Sequence, residues 1–409
     1  MKLEDYIPVV GAEYINQLER LARPLKGLRV LNVNSTKKGG GVAELLNRTV
    51  PLMNELGIEA RWEVIEGDAQ FFKTTKSMHN SLQGDKITIP REDLDHYIEV
   101  NVENGRKLSF DADIVVIHDP QPAPLIRYRK EGQHWVWRCH IDIARPWRDT
   151  WNFLRQFVSQ YDCSIFSMAK FSQNLPHPQY LITPAIDPLS EKNVDLPNSE
   201  ARKIVESLGV KLDKPLIVQI SRFDRFKDPV GVIKAFRMAR KFNECRLVLA
   251  GGGATDDPEG EEVYRQVIQE AEGDPDIHVL MLPPEAHRVI NALQRCATIV
   301  MQKSTKEGFG LTVTEGMWKG KPVIGGAVGG ITVQIYDYRT GFLVHSIEGA
   351  AYRIRYLLNR PEMMRKIGKS AKEFVRSNYL ITRNVRDYLL LFHSILYGHG
   401  ETIVLEGAE

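Results

Sequence analysis

The chain has 409 residues, 43% of them hydrophobic and 26% charged, the proportions of a globular protein and too long for one ordinary core. Lys and Arg total 54 against 52 for Asp and Glu, a balance of +2 that argues against a nucleic-acid or membrane-surface protein working through bulk charge. Any anionic ligand must then be held by a few placed cations.

From the N-terminus, "MKLEDYIPVV" has no apolar signal core, and no stretch of ~18 apolar residues occurs, so a cytoplasmic protein is expected. "GLRVLNVNS" reads as a strand that ends in a polar loop, and "VAELLNRTVPLMNELG" follows with helical spacing and a Gly stop. "ARWEVIEG", "ADIVVIHDP", "HWVWRCHID" and "CSIFSMA" are further strands, with amphipathic stretches such as "PWRDTWNFLRQFVSQYD" between them. The stretch from Asp68 to Arg106 is polar and gives no clear period. Apolar strands alternating with helices mean a parallel sheet covered on both faces.

At "ITPAIDPLSEKNVDLPNSE" the composition shifts to Pro, Asn, Asp and Ser, which marks a linker. The pattern then restarts with the strands "PLIVQIS", "CRLVLAGGG", "IHVLML", "ATIVMQKS" and "KPVIGGAVG" and closes on helical segments, the last being "RNVRDYLLLFHSILYGHG". The expected architecture is α/β, two doubly wound domains in tandem, the first residues 1–188 and the second beginning at residue 189. A ligand cleft is expected between the carboxyl ends of their sheets. Cys139, Cys163, Cys245 and Cys296 show no Cys-x-x-Cys or Cys/His metal spacing and read as thiols in a reducing compartment.

The loops at the expected cleft are polar or glycine-rich. Gly39, Gly40 and Gly41 let a backbone approach a ligand ahead of a helix, although the triplet also fits a plain flexible turn. In "SRFDRFKDP", Arg222 and Lys227 suit a diphosphate, Arg bidentately and Lys as a point charge; a solvated basic turn is the equal alternative. In "EGFGLTVTEGM", a helix starting near Gly310 offers N–H groups to a phosphate. Glu307 would repel that phosphate but can accept hydroxyls of a sugar, and Glu315, further along, another set such as those of a ribose. Phosphate at a helix start with a hydroxyl-rich ring on each side describes a nucleotide sugar. His118 with Asp119, and His140 with Asp142, end two strands of the first half and are candidates for polar recognition. No third ligand at matching spacing suggests a metal.

The Gly39–Gly41 loop, "HID", "SRFDRFKDP" and "EGFGLTVTEGMWKGKPVIGGAVGGI" together resemble the retaining glycosyltransferases of the GT-B fold, of the glycogen-synthase and sucrose-synthase type. "HDPQP", "HWVWRCHIDIARP" and "FKDP" are similar to the trehalose-synthesising branch, relatives of retaining trehalose phosphorylases. The resemblance implies a nucleoside diphosphate glucose as donor, free glucose as acceptor and α,α-trehalose as product. It implies Arg222 and Lys227 on the diphosphate, Glu307 on donor hydroxyls, Phe309, Gly310 and Leu311 capping the phosphate, and Glu315 on the ribose. His140 would touch the transferred glucose, Gly40 and Gly41 would close on the diphosphate, and Asp119 is the candidate for gripping the acceptor. A crossover C-terminal helix, residues 384–409 joining 1–188 and leaving 189–383 as the second domain, and a homodimer are family-level expectations. Asp228 stands after Lys227 where many relatives have Gly, "ITPAIDP" replaces an Asn-Gly-Ile-Asp turn, and Ala327 stands where a polar residue is often found.

A retaining hydrolase needs two carboxyls about 5 Å apart, and no such pair is apparent. A front-face displacement is expected instead, without a tightly bound cofactor, with Mg²⁺ at most stimulating as it rides on the nucleotide. Rival readings are a trehalose phosphorylase, a sucrose- or glycogen-synthase-type enzyme, and a sugar-nucleotide-binding regulator without catalysis. No nucleic-acid or membrane partner is expected.

Overall fold

A computed structural model of the protein describes residues 2–37, 40–252 and 258–398. The chain is α/β and divides into two compact units, Met1–Thr183 with Ile381–Glu409, and Pro184–Leu380. The first unit holds β1 (Arg29–Asn34), β2 (Glu59–Val64), β3 (Ile114–His118), β4 (His134–Arg138), β5 (Cys163–Phe166) and β6 (Gln179–Leu181). They form one parallel sheet in the order β2-β1-β3-β4-β5-β6. The chain winds one way from β1 to β2 and the other way from β3 onward, so the crevice of this sheet lies at the carboxyl ends of β1 and β3.

Strand β3 is buried at every position, which is why it reads as an unbroken apolar run rather than an alternating one. Trp135 and Trp137 of β4 are fully buried and share a core cluster with Phe71, Met78, Tyr97 and Leu154. Those partners identify the Asp68–Arg106 stretch: it forms the helices Ala69–Leu82 and Arg91–Lys107. Asp68 caps the first, its carboxylate accepting from the Phe71 amide at 2.7 Å. The buried Phe71, Thr74, Thr75, Met78 and Leu82 keep helical spacing, but two are threonines, and that masks the stripe in the sequence.

The second unit holds β7 (Leu216–Ile220), β8 (Arg246–Gly251), β9 (Ile277–Met281), β10 (Ile299–Gln302), β11 (Val323–Gly326) and β12 (Gly341–Val344). The sheet is parallel, ordered β12-β11-β10-β7-β8-β9, and its winding reverses between β7 and β10. β6 and β12, absent from the sequence reading, are edge strands of only three and four residues, too short for a visible period.

The units part at Thr183/Pro184 and Leu380/Ile381, a few residues before the 188/189 boundary read from composition and the 383/384 boundary implied by the resemblance. Backbone pairing accounts for the difference. Ile186 bridges Leu380, and its amide donates to the Tyr379 carbonyl at 2.9 Å, which ties both ends of the second unit together. Arg383 and Asn384 instead donate to the Thr183 carbonyl at 2.9 and 3.1 Å. The final helix Ile381–Tyr397 therefore belongs to the first unit and buries Leu389, Leu391 and Phe392 there. The remainder of the expected 384–409 segment lies outside the described residues. Among the described residues, no helix is long and apolar enough to cross a membrane.

Candidate active site

In the second unit, the side chains singled out by charge gather where β7 and β10 end side by side. Gln219 of β7 joins the two strand ends: its amide donates to the Lys227 carbonyl at 2.9 Å, and its oxygen accepts from the Lys303 amide at 3.0 Å. Lys227 Nζ then reaches Glu307 Oε2 at 2.7 Å. Ser304 Oγ donates to the same oxygen at 3.0 Å, and Gln302 Nε2 donates to Ser304 Oγ at 3.0 Å. Glu307 is thus fixed from both strands, with only 10% of its side chain exposed.

A second ion pair lies beside the first. Lys303 Nζ bonds Asp228 Oδ2, and Asp228 Oδ1 accepts from the Gly231 amide at 3.0 Å, capping the helix Pro229–Arg240. Asp228 has φ 47° and ψ 52°, the left-handed region that glycine adopts most readily. Neither Asp228 nor Lys303 carries a functional role in the sequence reading, although Asp228 is noted there as a departure. Arg222 is different. Its side chain is 59% exposed and meets Asp224 only at 3.4 Å.

The Gly-Phe-Gly turn is clamped from below. Phe309 is buried edge-on against Tyr379, with ring centroids 5.5 Å apart. Gln334, fully buried, donates to the Phe309 carbonyl at 2.5 Å and accepts from Thr314 Oγ1 at 2.5 Å. Gly310 takes φ 85° and serves as N-cap of the helix Leu311–Trp318, which has no side-chain cap. Gly329 takes φ 45°, and a Cβ there would stand 1.7 Å from the Glu307 carbonyl oxygen. The backbone around Glu307 is therefore packed to contact distance.

Glu315 lies on the same helix but is buried, with 3% of its side chain exposed. Gln294 Nε2 approaches its carboxylate at 3.5 Å and Lys192 Nζ at 3.9 Å. Lys319 packs beside it, donating to Asn193 Oδ1 at 2.9 Å; burial pulls the Lys319 ammonium down to about 7, against the pull of Glu315. The two glutamates of the motif thus sit in different surroundings. Glu307 belongs to the strand-end crevice, whereas Glu315 belongs to a basic cluster beside the helix His287–Cys296.

In the first unit, His118, Asp119 and His140 come together at the ends of β3 and β4. His118 Nδ1 is 3.0 Å from His140 Nε2, and His118 Nε2 is 3.0 Å from Asn32 Oδ1. With Asn32 presenting its oxygen, His118 donates from Nε2 and accepts at Nδ1 from His140, which leaves His140 Nδ1 as an acceptor. Burial, reinforced by Arg138, pulls His118 down to about 3 and His140 well below its ordinary value, so both rings are neutral. Asp119 has φ 67°, and its Oδ1 accepts from the His140 amide at 2.7 Å. Burial pushes its carboxyl up to about 7, partly opposed by the His140 amide and by Arg138. Asp142 turns back on its own loop, accepting from the Ala144 amide at 2.9 Å. Gly40 and Gly41 open the helix Gly40–Glu55, with Gly40 at φ 80°, while Gly39 lies outside the described residues. Asn32 went unread in the sequence because it lies inside an apolar strand; only the fold shows that it ends a chain of imidazoles.

Comparison with known proteins places this geometry. The family "Trehalose synthase, N-terminal domain" matches residues 32–173, and "Glycosyl transferases group 1" matches residues 200–374. A trehalose synthase of Pyrococcus horikoshii is 45% identical over 400 residues, which span 96% of this chain and 96% of that one. The chain belongs to the trehalose synthase family. It is a glycosyltransferase of trehalose metabolism. A more distant relative of this trehalose synthase family member is a trehalose phosphorylase of Pleurotus pulmonarius, 28% identical over 99% of this chain and 62% of that one. Among solved structures, an α,α-trehalose-phosphate synthase (UDP-forming) of Burkholderia xenovorans superposes with a TM-score of 0.72 at 14% identity, over 89% of this chain and 99% of that one. At that identity the likeness concerns the fold, which is GT-B. The two family matches contain Asn32, His118, Asp119 and His140 on one side, and Arg222, Lys227, Glu307 and Glu315 on the other.

Proposed function

We propose that the protein is a retaining glucosyltransferase that joins glucose from a nucleoside diphosphate glucose to free glucose, forming α,α-trehalose. The observation that supports this best is the Lys227–Glu307 pair at the β7 and β10 ends, next to a helix start without a side-chain cap. A cation for phosphate and an acid for hydroxyls stand there side by side, which suits a sugar phosphate ester. Relatives named trehalose synthase agree with the product.

In this reading Arg222, Lys227 and the amides at Gly310 and Leu311 hold the diphosphate and stabilise it more as charge develops on leaving. Glu307 holds donor hydroxyls, Glu315 the ribose, and Gly40 and Gly41 contact the diphosphate. His140 touches the transferred glucose. Asp119 grips the acceptor, and His118 and Asp142 are assigned to the same sugar. The acceptor hydroxyl attacks from the face that the diphosphate leaves, and the departing oxygen takes its proton. The enzyme supplies position and charge. Mg²⁺ enters with the nucleotide rather than as a resident ion, and the working form is a cytoplasmic homodimer.

Product analysis tests the proposal. ADP-, UDP- and GDP-glucose, and glucose 1-phosphate, are each offered as donor with glucose, glucose phosphate, fructose and glycogen as acceptors, with and without a chelator. α,α-Trehalose and free nucleoside diphosphate are expected from glucose. Trehalose formed only from glucose 1-phosphate, or transfer only to glycogen, would replace this reading with the corresponding rival.

A further inference from the structure

Arg138 closes β4 and is fully buried, yet none of its three guanidinium nitrogens has a hydrogen-bond partner. Isolating a charge from water without a partner is among the most costly things a fold can do. A neutral side chain of similar length would avoid that cost, so the cation must act on something near it.

Its place in the sheet shows what. Arg138 stands directly opposite His118 in the β3–β4 ladder, where paired side chains are neighbours on one face. Its carbonyl accepts from the Asp119 amide at 2.7 Å, and the amide of His140, two residues on, donates to the Asp119 carboxylate at 2.7 Å. The strand end that carries the cation therefore also holds Asp119 in its left-handed conformation. The titratable groups around the guanidinium are His118 and Asp119 from the end of β3, Cys139 and His140 from its own segment, and Tyr388 and Arg383 from the helix Ile381–Tyr397. None of them pairs with it.

We propose that Arg138 is a positioning residue whose unpaired buried cation sets the charge states of Asp119 and of the His118–His140 pair. The proposal rests on the reading of Asp119 as the acceptor grip. Burial alone favours a protonated carboxyl at Asp119, and Arg138 works against burial. At both imidazoles burial and Arg138 work in the same direction, toward the neutral form. One fixed cation thus favours an ionised acid beside two uncharged rings, a set that can accept from one sugar hydroxyl without presenting a charged imidazolium.

Two readouts test this, one of them independent of activity. The first is unfolding free energy against pH for the protein and for Asp119→Asn, each with and without Arg138→Met. With Arg138 present, the difference between the Asp119 protein and its Asp119→Asn variant should bend near neutral pH. In the Arg138→Met background the bend should move alkaline by about one unit, as for a lost neighbouring opposite charge, and Arg138→Lys should restore most of it. The second is KM for glucose against pH. Its limb should move with the same sign in Arg138→Met, with kcat on the plateau changing far less than KM. Arg138→Met should melt at or above the wild-type temperature, since it removes an unpaired buried charge. An unmoved bend, or a melting temperature well below wild type in Arg138→Met, overturns the proposal. A KM for glucose indifferent to Asp119→Asn, with the bend still shifting, removes the acceptor reading and leaves the electrostatic role of Arg138 standing.

Discussion

Lys227 Nζ lies 2.7 Å from Glu307 Oε2, so the cation assigned to the leaving phosphate and the acid assigned to the hexose hold each other across the ends of two strands. Both side chains are mostly buried, and removing one leaves the other poorly compensated. Glu307→Gln should lower kcat on the order of 10²-fold while leaving the affinity for free nucleoside diphosphate within a few-fold. Steady-state kinetics and calorimetric titration of the nucleotide check this; parallel losses in both would contradict the assignment to the sugar. Lys227→Met combined with Glu307→Gln should destabilise less than the sum of the two single changes, because the residues share one interaction.

Arg222 is far more exposed than Lys227, 59% against 18% of the side chain. Its 59% exposure and 3.4 Å approach to Asp224 make that pair weak, so little is lost when it turns to a ligand. Arg222→Ala should cost on the order of 10² to 10³ in kcat. Its melting temperature should stay near wild type, as expected for an exposed side chain. A variant with a near wild-type rate at saturating donor would remove Arg222 from the phosphate.

Glycine at 329 is required by contact. A Cβ there would stand 1.7 Å from the Glu307 carbonyl oxygen, and φ 45° disfavours any L side chain. Gly329→Ala should destabilise by at least about 2 kcal/mol, by displacing the Glu307 backbone. Urea unfolding measures the loss. A change below half that size would show that the Glu307 turn gives way easily.

At Asp228 two effects oppose each other. The left-handed backbone favours glycine, whereas the helix cap and the Lys303 pair favour the carboxylate. Loss of a cap costs about 1 kcal/mol, and a non-glycine residue in that backbone region costs about 1–2 kcal/mol. Asp228→Ala loses the cap and keeps the strain, so it should be less stable than Asp228→Gly. Chemical denaturation of the two variants gives the order, and the reverse order would show that strain is small here.

Asp119 carries a pH dependence of known sign. Its carboxyl is raised to about 7 by burial, so the folded state holds the proton more tightly than the unfolded chain does. That contribution to stability is fully present below the ordinary carboxylate range and is lost as pH rises through about 7. Asp119→Asn has no such group. Its stability relative to wild type should therefore improve from acid to mildly alkaline pH, as read by unfolding at a series of pH values. A difference that stays flat would mean that Asp119 ionises as it does in water.

Sequence alone determined the doubly wound α/β architecture, because buried parallel strands are unbroken apolar runs and need no partner to be recognised. It also marked Lys227, Glu307 and the Gly310 helix start, since charge beside a glycine turn is a local signal. Tertiary structure decided how those charges are shared. The pairing of Lys227 with Glu307 spans 80 positions, and Lys303 with Asp228 spans 75, distances over which no local pattern links a cation to its acid. The polar helices Ala69–Leu82 and Arg91–Lys107 emerged only through the buried cluster they share with Trp135 and Trp137. Arg138 is the sharpest case: in the chain it is one more arginine at a strand end, and only packing leaves it buried without a partner. Local chemistry states which groups are present; burial, which depends on the whole fold, states which of them remain charged and what they can reach.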